Sequence, residues 1–103
     1  KKMQKPPKTV EILGQNFGIV LSSEMSEEEL GRCDYSNQLI YISKSQASDS
    51  MRDTLLHEII HAVHWLMGLA DNNTEEEFTA RTTTGLRSVM LQNPEVVEYV
   101  LGR

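Results

Sequence analysis

Apolar and polar positions along the chain first alternate and then recur every three to four residues, so the pattern changes period near its middle. Thr9-Val10-Glu11-Ile12-Leu13 alternates as a half-buried strand does. Gly14-Gln15-Asn16 supplies turn chemistry, and Phe17-Gly18-Ile19-Val20-Leu21 resumes the apolar run. This predicts a β-hairpin. A second hairpin is predicted from Cys33-Asp34-Tyr35, the turn residues Ser36-Asn37-Gln38, and Leu39-Ile40-Tyr41-Ile42-Ser43. Its later strand is β-branched and aromatic enough to lie inside a sheet. Between the hairpins, Ser26 and Glu29 have capping-box spacing, but Gly31 follows so soon that the segment reads as a solvated turn.

From Met51 to Met67 the apolar period is helical, with Ser48, Asp49 or Ser50 available as N-cap and Gly68 placed as the residue after the C-cap. Asp71-Asn72-Asn73 reads as a loop. Thr74 and Glu77 form the capping box of a second helix running to about Leu91, and Pro94 opens a short third. The buried side of the second helix is expected at Phe78, Leu86, Val89 and Met90. Strands followed by helices, without βαβ alternation, predict an α+β domain. In it, a small antiparallel sheet of two N-terminal hairpins packs on the central helix and on a second helix antiparallel to it.

A length of 103 residues accommodates one core, so residues 9–103 read as a single domain. Lys1, Lys2, Lys5 and Lys8 beside Pro6 and Pro7 mark residues 1–8 as a disordered basic tail. The net charge of -5 repels a phosphate backbone, and nucleic acid is not an expected partner. A membrane is not expected either, because the apolar stretch from Ile59 to Leu69 is short and broken by His61 and His64. Cys33 is the only cysteine and no apolar leader is evident, which fits a reducing, cytoplasmic compartment.

The candidate chemistry lies at His57-Glu58-Ile59-Ile60-His61, a His-Glu-x-x-His match in the middle of the strongest helix. Residues four apart return to one helical face, so both imidazoles can reach one ion, with zinc the expected cofactor. Glu58 beside it can take a proton from a zinc-bound water and deliver it to a leaving group. All three histidines of the chain fall within this helix, where unpaired imidazoles and a carboxylate would be costly to bury. His64 lies two turns from His57 and reads as a partner of the ligands or a core residue rather than a ligand. A third ligand must come from elsewhere, and the acidic opening of the second helix supplies it. Glu76 is favoured because it shares a stripe with Thr79, Thr83, Leu86 and Met90, with Glu75, Glu77 and Asp71 as alternatives. Tyr35, Tyr41, His64, Arg81 and Tyr99 could each stabilise an oxyanion, and spacing selects none of them.

With His57-Glu58-Ile59-Ile60-His61 followed by an acidic helix opening, and with Asp53-Thr54-Leu55-Leu56 leading in, the chain resembles the small ImmA/IrrE-like zinc metallopeptidases of phages and mobile elements. The resemblance implies a minimal zincin-like fold and a gluzincin-type site. His57 and His61 would be ligands, Glu58 the catalytic base, and a glutamate of the second helix the last ligand. It also implies a strand such as Leu39 to Ser43 at the cleft edge, able to pair with an extended protein or peptide substrate, in the host cytoplasm if the gene is phage-borne. Such relatives cleave helix-turn-helix repressors, which makes a regulatory protein one candidate target. The expected function is therefore zinc-dependent hydrolysis of a peptide bond. The alternative is a catalytically silent zincin-fold binding or regulatory module with a structural zinc.

Overall fold

A computed structural model describes residues 5–69 and 73–102. Four strands, β1 (Thr9–Ile12), β2 (Gln15–Ser22), β3 (Gly31–Asp34) and β4 (Leu39–Ser43), form one sheet in the order β1-β2-β4-β3. Three helices follow: α1 (Ser48–Leu66), α2 (Asn73–Gln92) and α3 (Pro94–Val100). The α+β architecture expected of a minimal zincin-like domain is present. No helix among the described residues is long and apolar enough to cross a membrane.

Both predicted hairpins form. In the first, Ile12 pairs with Gln15, so the turn is Leu13-Gly14 rather than Gly14 to Asn16. Both turn residues have positive φ, 50° and 85°, the geometry that follows strand twist in a two-residue loop and favours glycine at the second position. In the second, Asp34 pairs with Leu39 across a four-residue turn. The Asp34 carboxylate accepts from the Asn37 backbone N–H at 3.2 Å and from Asn37 Nδ2 at 2.9 Å. These bonds hold its pKa below the usual carboxylate value.

The sheet is mixed, not wholly antiparallel. β2 and β4 run parallel, from Gly18 opposite Leu39 to Ser22 opposite Ser43. β3 takes the outer place, so β4 returns between β3 and β2, and the stretch from Ser23 through β3 serves as the crossover a parallel pair requires. As one of the two interior strands, β4 carries the fully buried Ile40 and Ile42. Phe17, Ile19 and Ile12 complete the sheet side of the core.

Helix α1 covers this face. Its buried residues Thr54, Glu58 and Ala62 are spaced by four, and Met51, Leu55, Ile59, Val63 and Leu66 pack around the same core. The expected cap from Ser48, Asp49 or Ser50 is absent: Ala47 is the N-cap and makes no side-chain bond. Gln46 organises this end instead. Its Oε1 accepts from Ser50 Oγ at 2.6 Å and Thr54 Oγ1 at 2.9 Å, while Nε2 donates to the carbonyls of Ser43 and Leu30. The C-terminus closes as predicted. Gly68, at φ 81°, donates to the Trp65 carbonyl, and Leu69 N–H reaches the His64 carbonyl, a Schellman arrangement.

Helix α2 corrects the expected burial. Phe78, Leu86 and Val89 are exposed, whereas Thr79 and Thr83 are completely buried. The side of α1 that α2 meets carries His57, His61 and His64, and imidazoles removed from water require polar partners. The buried stripe of α2 is therefore Glu75, Thr79, Thr83 and Arg87, one residue every four. Arg87 ends it in an ion pair with Asp49 of α1 at 2.6 Å.

Candidate metal centre

One helical turn separates His57 from His61, and their Nε2 atoms lie 3.1 Å apart with the rings edge-on. Glu76 reaches across from α2. Its Oε1 is 2.6 Å from His61 Nε2 and its Oε2 3.2 Å from His57 Nε2. Donor atoms of the three residues all fall within 4.8 Å of one another. Four donors held about 2.0–2.1 Å from a tetrahedral zinc would stand roughly 3.3 Å apart, so the two nitrogens are already near one edge of such a shell. Two nitrogens and one carboxylate oxygen are also a donor set that suits zinc and leaves a coordination position for a reactant. The residues fit the ion.

The neighbouring Glu75 faces elsewhere. Its Oε2 accepts from Thr79 Oγ1 at 2.7 Å, from His61 Nδ1 at 3.2 Å, and from His64 Nδ1 in a short contact. Burial would raise the pKa of this carboxyl, but the bonds from His64 and Thr79 and the charge of His61 and His64 outweigh it and hold it below the usual value. His64 thus joins the second carboxylate and not the His57–His61 pair. Glu77 is exposed and bonds Arg81 at 3.3 Å, as expected of a solvent-facing residue. Asp71, the remaining candidate, lies outside the described residues.

Glu58, 7% exposed, points into the same cleft. Burial is the main cause that pushes its carboxyl up to about 7. The charge of His61 opposes the rise, while Glu76, Glu29 and Glu75 add to it. The cleft, of about 510 Å³, has His57, Glu58 and His61 on one side, Gly31 and Cys33 on the other, and Glu76 at its mouth. Gly31 permits the close approach of β3 to α1: a Cβ there would stand 2.5 Å from Thr54 Cγ2 and 3.1 Å from Glu58 Oε2. Burial, with Glu58 and Asp34 nearby, pushes the Cys33 thiol up to about 12.

Two expectations change. The strand beside the cleft with an unpaired edge is β3, not the Leu39–Ser43 strand, which is paired on both sides. Of the residues considered as oxyanion donors, Tyr35 lines the cleft, and it also stacks on Trp65 with centroids 5.0 Å apart. Arg81 and Tyr99 are exposed on helices α2 and α3. The role of Gly31 had no signal in the sequence, since it depends on a contact between distant segments, and that of Gln46, whose bonds run mostly to Ser43, Ser50 and Thr54, was missed.

Comparison with protein-family models returns one description, the SprT-like family, matched over residues 9–93. The chain belongs to the SprT-like family. SprT-like domains have a fold related to zincin metallopeptidases and in general bind zinc. The family comparison thus supports the coarse likeness to zincin-like metallopeptidases and does not confirm the ImmA/IrrE-like resemblance specifically. Neither the comparison with curated proteins nor that with solved structures returns a match.

Proposed function

We propose that this SprT-like chain is a zinc-dependent metallopeptidase in which His57, His61 and Glu76 hold the ion and Glu58 is the general base. The observation that carries the reading is the convergence of three donor side chains from two helices beside a carboxylate buried in the same cleft. The ion, when bound, supplies Lewis acidity, polarising a carbonyl and acidifying water. Glu58 takes the proton of the attacking water on a carboxylate oxygen and returns it to the departing amine. The unpaired edge of β3 offers backbone groups to an extended substrate, which aligns the scissile bond over the histidines.

The test is the zinc content of wild type and Glu58→Gln, paired with cleavage of an unstructured protein such as casein. One zinc per chain in both, with cleavage by wild type and a loss of about 10²–10⁴-fold in the variant, supports the reading. Cleavage undiminished in Glu58→Gln refutes the assigned base. Zinc in both with no cleavage by either supports the alternative of a silent zinc module.

A further inference from the structure

We propose that Glu75 is a positioning residue that fixes the ring of His61 for the ion, and that His64 and Thr79 serve to hold Glu75 in place. This rests on the metal-site reading and divides two adjacent glutamates between two tasks. Consecutive residues on a helix point about 100° apart, so one carboxylate can face the donor cluster while the next faces the backs of the rings. Glu76 sits at the open mouth with its side chain 56% exposed, whereas the Glu75 side chain is 9% exposed between α1 and α2.

The geometry at His61 gives the reason. Its Nε2 is turned to the cluster with His57 and Glu76, and its Nδ1 is turned to Glu75 Oε2. An Nδ1–H donating to a carboxylate leaves the lone pair on Nε2, the atom the ion needs, and stops the ring from rotating. Glu75 is in turn held by the Thr79 hydroxyl and by His64 Nδ1 on the same oxygen. A carboxylate that served only the helix dipole would stay in water, as the next residue but one, Glu77, does with its side chain 66% exposed. Burying Glu75 against two imidazoles is costly unless those bonds are made. His64, outside the His-Glu-x-x-His motif, thereby gains a task.

The experiment has two readouts on wild type, Glu75→Gln, Glu76→Gln and Thr79→Val. Chelator competition gives zinc affinity, and long-range ¹⁵N–¹H correlation gives the His61 tautomer in the metal-free protein at alkaline pH. Glu75→Gln is expected to bind one zinc about 10–100-fold more weakly, with Thr79→Val weakened less and Glu76→Gln more than either. Because Glu76 Oε1 also faces His61 Nε2 at 2.6 Å, the tautomer is compared in metal-free Glu76→Gln, where that competing charge is gone: His61 should carry its proton on Nδ1 there, and adding Glu75→Gln should shift it toward Nε2. A merely structural role would not move that signal. The proposal is overturned if Glu75→Gln leaves the tautomer and the affinity unchanged, or if Glu76→Gln keeps zinc while Glu75→Gln loses it, which would make Glu75 the ligand. If no form binds zinc, the metal reading fails by itself, and the tautomer of the metal-free protein still decides the task of Glu75.

Discussion

Replacing Gly31 by alanine should damage both the stability and the site. The added Cβ would lie 2.5 Å from Thr54 Cγ2, about an ångström inside ordinary contact, and 3.2 Å from the Tyr41 carbonyl. Neither neighbour yields easily. Thr54 is buried with its hydroxyl bonded to Gln46 Oε1 at 2.9 Å, and β3 is pinned to β4 by their ladder. Overpacking of this kind costs about 1–3 kcal/mol, offset by about 0.4–1 kcal/mol from the reduced freedom of the unfolded chain. For a domain of this size each kcal/mol lost lowers Tm by about 4–8 °C. Because the new Cβ is also 3.1 Å from Glu58 Oε2, cleavage should fall further than stability accounts for. Two comparisons isolate the cause. Gly18→Ala meets only the side-chain tip of Leu39, at 2.9 Å, and should cost less. Thr54→Ser keeps the hydroxyl for Gln46 but removes Cγ2, so Gly31→Ala/Thr54→Ser should recover much of the lost Tm in a double-mutant cycle followed by circular dichroism. A Gly31→Ala protein as stable as wild type, or strict additivity with Thr54→Ser, would refute the steric argument.

Thr83 is completely buried, and its Oγ1 has no hydrogen-bond partner among the described residues. Thr83→Val removes that unmet hydroxyl at nearly constant shape and should stabilise by about 1 kcal/mol, read as a higher urea midpoint with unchanged slope. Arg87 holds the Asp49 carboxyl below its ordinary value by hydrogen bonding and charge. A depressed folded pKa stabilises above the unfolded value and is lost as pH falls through the folded one. The gap in Tm between wild type and Asp49→Asn should therefore be level near neutrality and close in acid, and a gap that widens in acid would contradict this. Zinc at a hundredfold excess over its Kd should stabilise wild type by about 2.7 kcal/mol. Calorimetry should show the rise much reduced in Glu76→Gln, and an equal rise in both would remove Glu76 from the proposed ligands.

What the sequence conveyed was mostly local. The hairpins, the span of α1, the Gly68 terminus and the placing of His57, Glu58 and His61 all follow from neighbours a few residues apart. The parallel pairing of β2 with β4 does not, because strand alternation reports which residues are buried and not which strand lies beside which. The apolar side of α2 misled for a physical reason. A helix usually buries its largest apolar residues, but here the surface opposite bears three imidazoles, and Thr79 and Thr83 go inside while Phe78 stays out. A signal for this existed. Glu75, Thr79, Thr83 and Arg87 recur at four, a polar stripe that becomes meaningful once it is set against His57, His61 and His64 on the preceding helix. Reading Glu76 on the threonine stripe joined it to residues it does not follow, since Glu75 is the one aligned with Thr79 and bonded to it.

That stripe bears on how the candidate site is held. Apolar burial is non-directional and would let α2 slide or roll on α1 at little cost. Hydrogen bonds and ion pairs fix distance and angle, and α2 carries them at both ends: Glu75 and Glu76 on the histidines, and Arg87 on Asp49 more than two turns further along. The third donor and the residue behind His61 therefore arrive together, on one helix whose register is set by polar contacts. Loosening the far end at Arg87 would let the near end drift, so a change well away from the cluster should reach the ligand geometry through the axis of α2.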